Sequence, residues 1–311
     1  MIWHKNPRPL LRRGLMLLAL ALALAALVSN AAVVGQQSKN GLLRIGTSGI
    51  LTTEKTGKEQ SALETLKSFI KEETGMDNEI LRHKGWSELT DKLAKGELDV
   101  GVYQGYEFAW ASEKHPDLKP LALAVNVYKY PVAYVVTNRT DKAAKFVDLQ
   151  GQSLAIPATG QHYLRLFVER ECQATAKKSP EAFFSKIATP EEIEDALDDT
   201  VDGVVQAMVV DRAALEAFKR RKPGRFKNLK EIAHSQSFPP TLVAYYGKHL
   251  DDATLNRLRT GLLDANRKER GQTLLTMFRF TGFVIPPNDF EKVLTETRKT
   301  YPPPSTQGKE E

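Results

Sequence analysis

A chain of 311 residues, 41% hydrophobic and 26% charged with 20 Gly and 16 Pro, is long enough for two domains and is neither disordered, collagen-like nor fibrous in composition. Its single cysteine, Cys172, excludes an intramolecular disulfide framework, a paired-cysteine zinc site and an iron–sulfur cluster. Of the net charge of +6, residues 1–31 supply +4 through Lys5, Arg8, Arg12 and Arg13 with no acid, and the +2 left for the remainder is too sparse for a nucleic-acid stripe.

The first residues read as an address. Met1 to Arg13 is basic, Leu15 to Val28 is an unbroken apolar run, and Ser29-Asn30-Ala31 places small residues at the −3 and −1 positions of a cut. This is the pattern of a secretory signal peptide over residues 1–31. The apolar run is shorter than a spanning helix requires, and an uncleaved N-terminal anchor is the alternative. No cysteine follows the run to carry a lipid. The expected mature protein starts near Ala32 and works outside the cytoplasm.

Along the mature chain, Leu42 to Ser48 is a strand running into a turn. Ser61 to Glu72 carries Leu63, Leu66, Phe69 and Ile70 at helical spacing. Strands follow at Glu79–His83, Asp99–Tyr103 and Leu118–Ala124, with helices at Glu88–Lys95 and Tyr106–Lys114 between them. Repeated strand–helix–strand units predict a parallel sheet with helices on both faces. Tyr130 to Asn138 is then a long β-rich run with no helix before it, the mark of a strand crossing into a second lobe. That lobe is read as a short helix and turn at Asp148–Gln152, a strand at Ser153–Pro157, a helix from Gly160 to about Cys172, and a weak strand at Phe183–Ala188. A helix opened by Pro190, a strand at Val204–Asp211, a helix at Arg212–Arg220, a loop at Lys222–Arg225 and a strand at Leu229–His234 complete it. Thr241–Tyr246 returns the chain to the first lobe. Helices at Asp251–Asn266, Arg270–Phe278 and Phe290–Lys299 follow. Residues 301–311, which begin with Tyr301 and three prolines, read as a disordered tail. The expected architecture is α/β: lobe 1 over residues 42–131 plus 241–300, lobe 2 inserted over 132–240, mixed sheets with helices on both faces, and a two-crossover hinge.

The stretch from Ala155 to Tyr163 carries the most chemistry. A strand ends, a small turn follows, and a helix starts. Backbone N–H groups at a helix N-terminus together with the Thr159 hydroxyl make an anion site, and Gly160 lets the backbone approach a ligand. The plainer alternative is an ordinary N-cap by Thr159. Thr47-Ser48-Gly49 is a similar turn after the first strand, read as facing the same cleft or as a generic strand-to-helix turn. Trp86, Tyr103, Tyr106, Tyr128 and Tyr130 sit at strand ends or helix starts, where aromatics either wall a cleft or fill a core. Asp211 ends a strand at the carboxyl edge where open α/β sheets bind ligands, or caps the next helix. No esterase, zinc-protease, dinucleotide or P-loop motif is present. The histidines form no metal pair, and Cys172 has no identifiable base. No catalytic residue, metal or cofactor is therefore expected.

The order and spacing of these segments resemble the periplasmic substrate-binding proteins of phosphate, phosphite and phosphonate ABC transporters, within the type 2 periplasmic-binding fold. The resemblance spans about residues 42–295. It is carried by the LRIGTSG start, by Gly85-Trp86-Ser87-Glu88-Leu89, by GELDVGVY at 96–103, and by YPVAYVVTN followed by DLQGQSLAIPATG. Thr189 to Asp211 and Arg279-Phe280-Thr281-Gly282-Phe283 continue it. The resemblance implies capture of a small oxyanion by Ala158, Thr159, Gly160 and Gln161, with Trp86 and Tyr130 contributed by the other lobe. It also implies delivery to a membrane permease by a monomeric receptor. The anion loop here reads PATG with one hydroxyl, where the family usually shows several. At the positions that hold acids in aminophosphonate binders this chain has Ala213 and Thr241, which argues against an aminoalkylphosphonate. Two other readings share the fold: a ligand-binding module reporting to a membrane sensor kinase, and an enzyme built on the same scaffold.

Overall fold

The computed structural model describes residues 41–48, 57–158, 161–247 and 249–304. The expected signal peptide, Gly49, Thr159, Gly160 and residues 305–311 of the expected tail lie outside the described residues.

Alternation builds the first strand. β1 (Leu42–Thr47) turns Leu43 and Ile45 onto one face, as a two-residue period requires. Phe69 and Ile70 of α1 (Gly57–Thr74) cover that face. The chain continues through β2 (Asp77–Arg82), α2 (Trp86–Ala94), β3 (Val100–Tyr103), α3 (Gly105–Lys114) and β4 (Leu118–Val125). β1 pairs in parallel with both β2 and β3. Asp99, the acid of the GELDVGVY block, pins that register. It is buried and accepts hydrogen bonds from the Arg44 backbone N–H at 2.7 Å and from its guanidinium at 2.9 and 3.1 Å. Such a two-armed guanidinium–carboxylate contact is geometrically specific.

A second sheet follows. Its elements are β5 (Ala133–Asn138), a 3₁₀ turn at Phe146–Leu149, β6 (Ser153–Ala155), α4 (His162–Ala176), α5 (Pro180–Phe183), β7 (Lys186–Ala188), α6 (Ile193–Asp202), β8 (Ala207–Asp211), α7 (Arg212–Arg221), α8 (Pro223–Phe226) and β9 (Leu229–His234). The chain rejoins the first sheet as β10 (Leu242–Tyr246), then forms α9 (Asp252–Leu263), α10 (Glu269–Met277), β11 (Gly282–Val284) and α11 (Phe290–Thr300). The strand orders are β11-β4-β10-β3-β1-β2 and β7-β6-β8-β5-β9. Both sheets are mixed, since β10 runs antiparallel to β3 and β4, and β5 antiparallel to β8 and β9. Helices cover both faces. Every residue of β8 is buried, with Ala207 and Val209 in one apolar cluster and Met208 and Val210 in the opposite one, which is why this strand reads as a continuous apolar run.

The chain passes between the sheets at residues 126–132 and 235–241. The two passages touch, for the Phe238 N–H donates to the Pro131 carbonyl at 2.9 Å. Gly105 opens α3 against the second of them. A Cβ there would stand 1.9 Å from the Pro239 carbonyl oxygen, so only glycine permits this approach.

Several expected boundaries shift. The strand expected from Tyr130 begins at Ala133, because residues 126–132 carry the crossover. The expected strand at Phe183–Ala188 divides into α5 and β7. Ser179 and Pro180 start a helical turn, and Phe183 and Phe184 both enter the core, with Phe146 5.4 Å from Phe183. The loop expected at Lys222–Arg225 is the helical turn α8, with Pro223 at its first position. β11 was not expected. The tail expected from Tyr301 begins too early. Tyr301 is buried, its ring 4.6 Å from Phe238, and its carbonyl accepts from the Trp110 Nε1–H at 2.6 Å.

Candidate functional site

The carboxyl edge of the first sheet carries Thr47 and Ser48, and pleating sends them to opposite faces. Thr47 lies on the side of Ile45, is 3% exposed, and its Oγ1 has no hydrogen-bond partner. Ser48 turns the other way and its Oγ donates to Glu107 Oε2 at 2.5 Å. The pair expected to face one cleft together is thus divided between two sides of the sheet.

Glu107 is the principal residue that sequence reasoning missed. It stands in the first turn of α3 and also accepts from the Gln104 backbone N–H at 3.3 Å, a reciprocal cap. Its spacing from Gln104 was the available signal. No cation is paired with it among the described residues. Burial pushes its carboxyl up to about 7, against the opposing pull of Ser48 and Gln104.

The aromatics separate into two groups. Tyr103 is fully enclosed and shares a hydrogen bond with Thr90 Oγ1 at 2.9 Å in the core between the sheet and α2. The expectation that Tyr103 lines the ligand site is corrected on this ground, since a core hydroxyl already paired offers nothing to a solute. Trp86, at the start of α2, is partly exposed and lies 6.0 Å from Trp110, which in turn meets Tyr106 at 5.0 Å. The Tyr130 hydroxyl donates to Asp289 Oδ1 at 2.9 Å, and Lys129 Nζ stands 3.4 Å from the same oxygen. Tyr128 covers the Arg212 guanidinium at 4.1 Å.

On the second sheet, β6 leads through Ile156, whose N–H donates to Ala188, and Ala158, whose N–H donates to Pro190 at 3.0 Å. Ala158 is exposed. Gln161 is the residue before α4, makes no side-chain cap, and its Oε1 is buried without a partner. α4 has no acidic residue in its first turn. Among helices of eight or more residues whose N-terminal ends are described, the others carry an acid in the first turn or, in α7, the Asp211 cap. Among the described residues, neither a first-turn acid nor a side-chain cap offsets the positive end of α4.

Asp211 caps α7, accepting from the Ala213 N–H at 2.7 Å and the Ala214 N–H at 3.4 Å, and also accepts from the Tyr163 hydroxyl at 2.5 Å. Burial holds its carboxyl above the usual range. The structure brings Asp211 to the first turn of α4 through Tyr163, but as a buried cap with its oxygens engaged. Cys172, on the core side of α4, is fully buried, and burial pushes its thiol up to about 12, the opposite of an activated nucleophile. Among the described residues no cluster of His, Cys, Asp or Glu is placed to hold a metal, and no helix is long and apolar enough to cross a membrane.

A family model described as "ABC transporter, phosphonate, periplasmic substrate-binding protein" matches residues 48–289. The chain belongs to this family. It is thus a substrate-binding protein of the phosphonate ABC transporter type, and the family works outside the cytoplasm. Solved structures agree on the fold. A Xanthomonas citri protein bound to ATP has a TM-score of 0.58 at 14% identity, covering 84% of this chain and 97% of its own. PhnD1 of Prochlorococcus marinus in complex with methylphosphonate has 0.54 at 12% identity, covering 83% and 97%. A binding protein component of an ABC phosphonate transporter from Pseudomonas aeruginosa has 0.51 at 13% identity, covering 83% and 87%. The two-lobed type 2 periplasmic-binding fold is shared by this phosphonate-binding family member. A comparison with curated proteins gives no match.

Proposed function

We propose that this family member captures a phosphonate-like oxyanion at the N-terminus of α4 and presents it to a membrane permease. The observation that carries this reading is the start of that helix, which has neither a side-chain cap nor a first-turn acid. Helix N–H groups and the helix dipole favour a small anion there. Ala158, Thr159, Gly160 and Gln161 are the residues that would hold it. Trp86 and Tyr130 supply the facing edge of the other lobe. Lobe 1 comprises residues 42–131 and 241–300 and lobe 2 residues 132–240, and they close about the two crossovers. Capture exchanges the anion's water for N–H and O–H donors, and no bond is made or broken, so the protein is a receptor rather than an enzyme. It acts as a monomer, without nucleic acid, and reaches its compartment through a cleaved signal over residues 1–31.

The test is calorimetric titration of the purified protein with phosphate, phosphite, methylphosphonate, 2-aminoethylphosphonate, sulfate, ATP and simple carboxylates. A selective heat with one phosphorus oxyanion is the expected result. The double substitution Thr159→Ala with Gly160→Val is expected to weaken it by at least tenfold, since it removes the hydroxyl and blocks backbone approach. Unchanged affinity in that variant would sink the loop assignment. Mass spectrometry of the exported protein reads the cut, with a first residue near Ala32 expected.

A further inference from the structure

Lobe 1 contains a cavity of about 80 Å³ between the first sheet and helices α1, α9 and α10. Ile70, Leu262, Leu274 and Phe280 wall it, and Thr47 and Thr241 are its hydroxyl-bearing residues. No ionisable side chain lines it among the described residues. Thr47 ends β1 at the sheet's carboxyl edge, and Thr241 lies at the end of the second crossover, its carbonyl accepting from the Ala124 N–H at 2.8 Å. The cavity therefore reaches the edge at which open α/β sheets bind their ligands. Thr47 adds an independent sign. It is 3% exposed and its Oγ1 is unpaired on the wall of this space, a state that native structures generally avoid.

The volume is several times the roughly 10–15 Å³ that one water occupies on such a measure, enough for on the order of five non-hydrogen atoms. Water is a poor occupant, because it needs two to four polar partners and the walls are apolar. An ammonium is a worse one, because no described residue of the lining offers it a counter-charge. A hydrocarbon group fits both the volume and the walls, with Thr47 at its more polar end.

We propose that this cavity receives the organic arm of the captured solute, which is accordingly a phosphonate bearing a short alkyl or aryl substituent rather than an aminoalkyl one. This rests on the phosphonate-capture reading above.

The test is titration of the purified protein with phosphite and with methyl-, ethyl-, propyl-, butyl-, phenyl- and 2-aminoethylphosphonate. Each methylene from methyl to butyl is expected to tighten Kd by about fourfold, and 2-aminoethylphosphonate is expected to bind more weakly than ethylphosphonate. Leu262→Phe, which fills the cavity, is expected to bring the methyl-to-butyl Kd ratio close to one. The length series on the unaltered protein stands by itself should that variant fail to fold. Equal Kd across the series, or tighter binding of the aminoalkyl compound than of ethylphosphonate, overturns the cavity assignment and leaves phosphonate capture intact. Failure of phosphite and of every phosphonate to bind overturns the capture reading, and the inference with it.

Discussion

Glu107 is a carboxyl buried beside a serine hydroxyl rather than beside a cation, and that arrangement sets its response to pH. In the unfolded chain it ionises near 4.5, and in the fold near 7. Between these values the unfolded chain sheds a proton that the folded protein keeps, so this group lowers stability as pH rises from 4.5 to 7. Below that window it costs nothing, and above it the penalty is constant at roughly 3 kcal/mol. Urea unfolding of the wild type and of Glu107→Gln across this window is expected to show the wild type falling relative to the variant. Parallel curves would mean that the carboxylate is solvated in the fold. The same scale explains why the site was only half legible. Ser48 and Thr47 look equivalent in sequence, yet the pleat gives one to Glu107 and the other to an apolar cavity.

At the scale of elements, the first crossover stores strain. Val127 has φ of 62°, a left-handed conformation that a β-branched residue adopts at a cost. The Tyr128 N–H closes the turn onto the Asn126 carbonyl at 2.6 Å, and the Val127 N–H donates to Thr281 Oγ1 at 3.0 Å, which holds the turn in place. Val127 is 59% exposed, so its side chain contributes little to packing. Val127→Asn, which tolerates this backbone, is expected to raise stability by about 1 kcal/mol in a denaturant melt. A loss of stability instead would remove the strain reading. The helices of this chain were more legible than its turns. α7 follows directly from Asp211, whose carboxylate caps it, whereas the turn at Val127 has no Gly or Asn to announce it.

At the scale of the molecule, the C-terminal helix is a third link between the sheets. α11 packs beside α3 on the first sheet, then Tyr301 enters the apolar cluster of the second, beside Phe238, while its carbonyl accepts from Trp110. Arg170 Nε donates to the Thr300 carbonyl at 3.0 Å from the second-sheet side. Tyr301→Ala is expected to cost about 3 kcal/mol of stability in urea unfolding. A cost under about 1 kcal/mol would show the segment to be dispensable.

The sequence alone determined most strands and helices and the α/β class, and the resemblance of its motifs in order and spacing pointed to the phosphonate-binding family. The elements rest on local signals: the two-residue and 3.6-residue periods, caps and turn residues, all readable within a few positions. Tertiary structure decided which side chains are available to a ligand. Tyr103 and Trp86 look alike as aromatics beside a strand or helix end, but Thr90 and the core enclose the first, and the second stays partly exposed. Trp110 and Tyr301 meet across 191 residues, and Ser48 and Glu107 across 59. The direction a side chain faces depends on partners that distant, and no local window contains them.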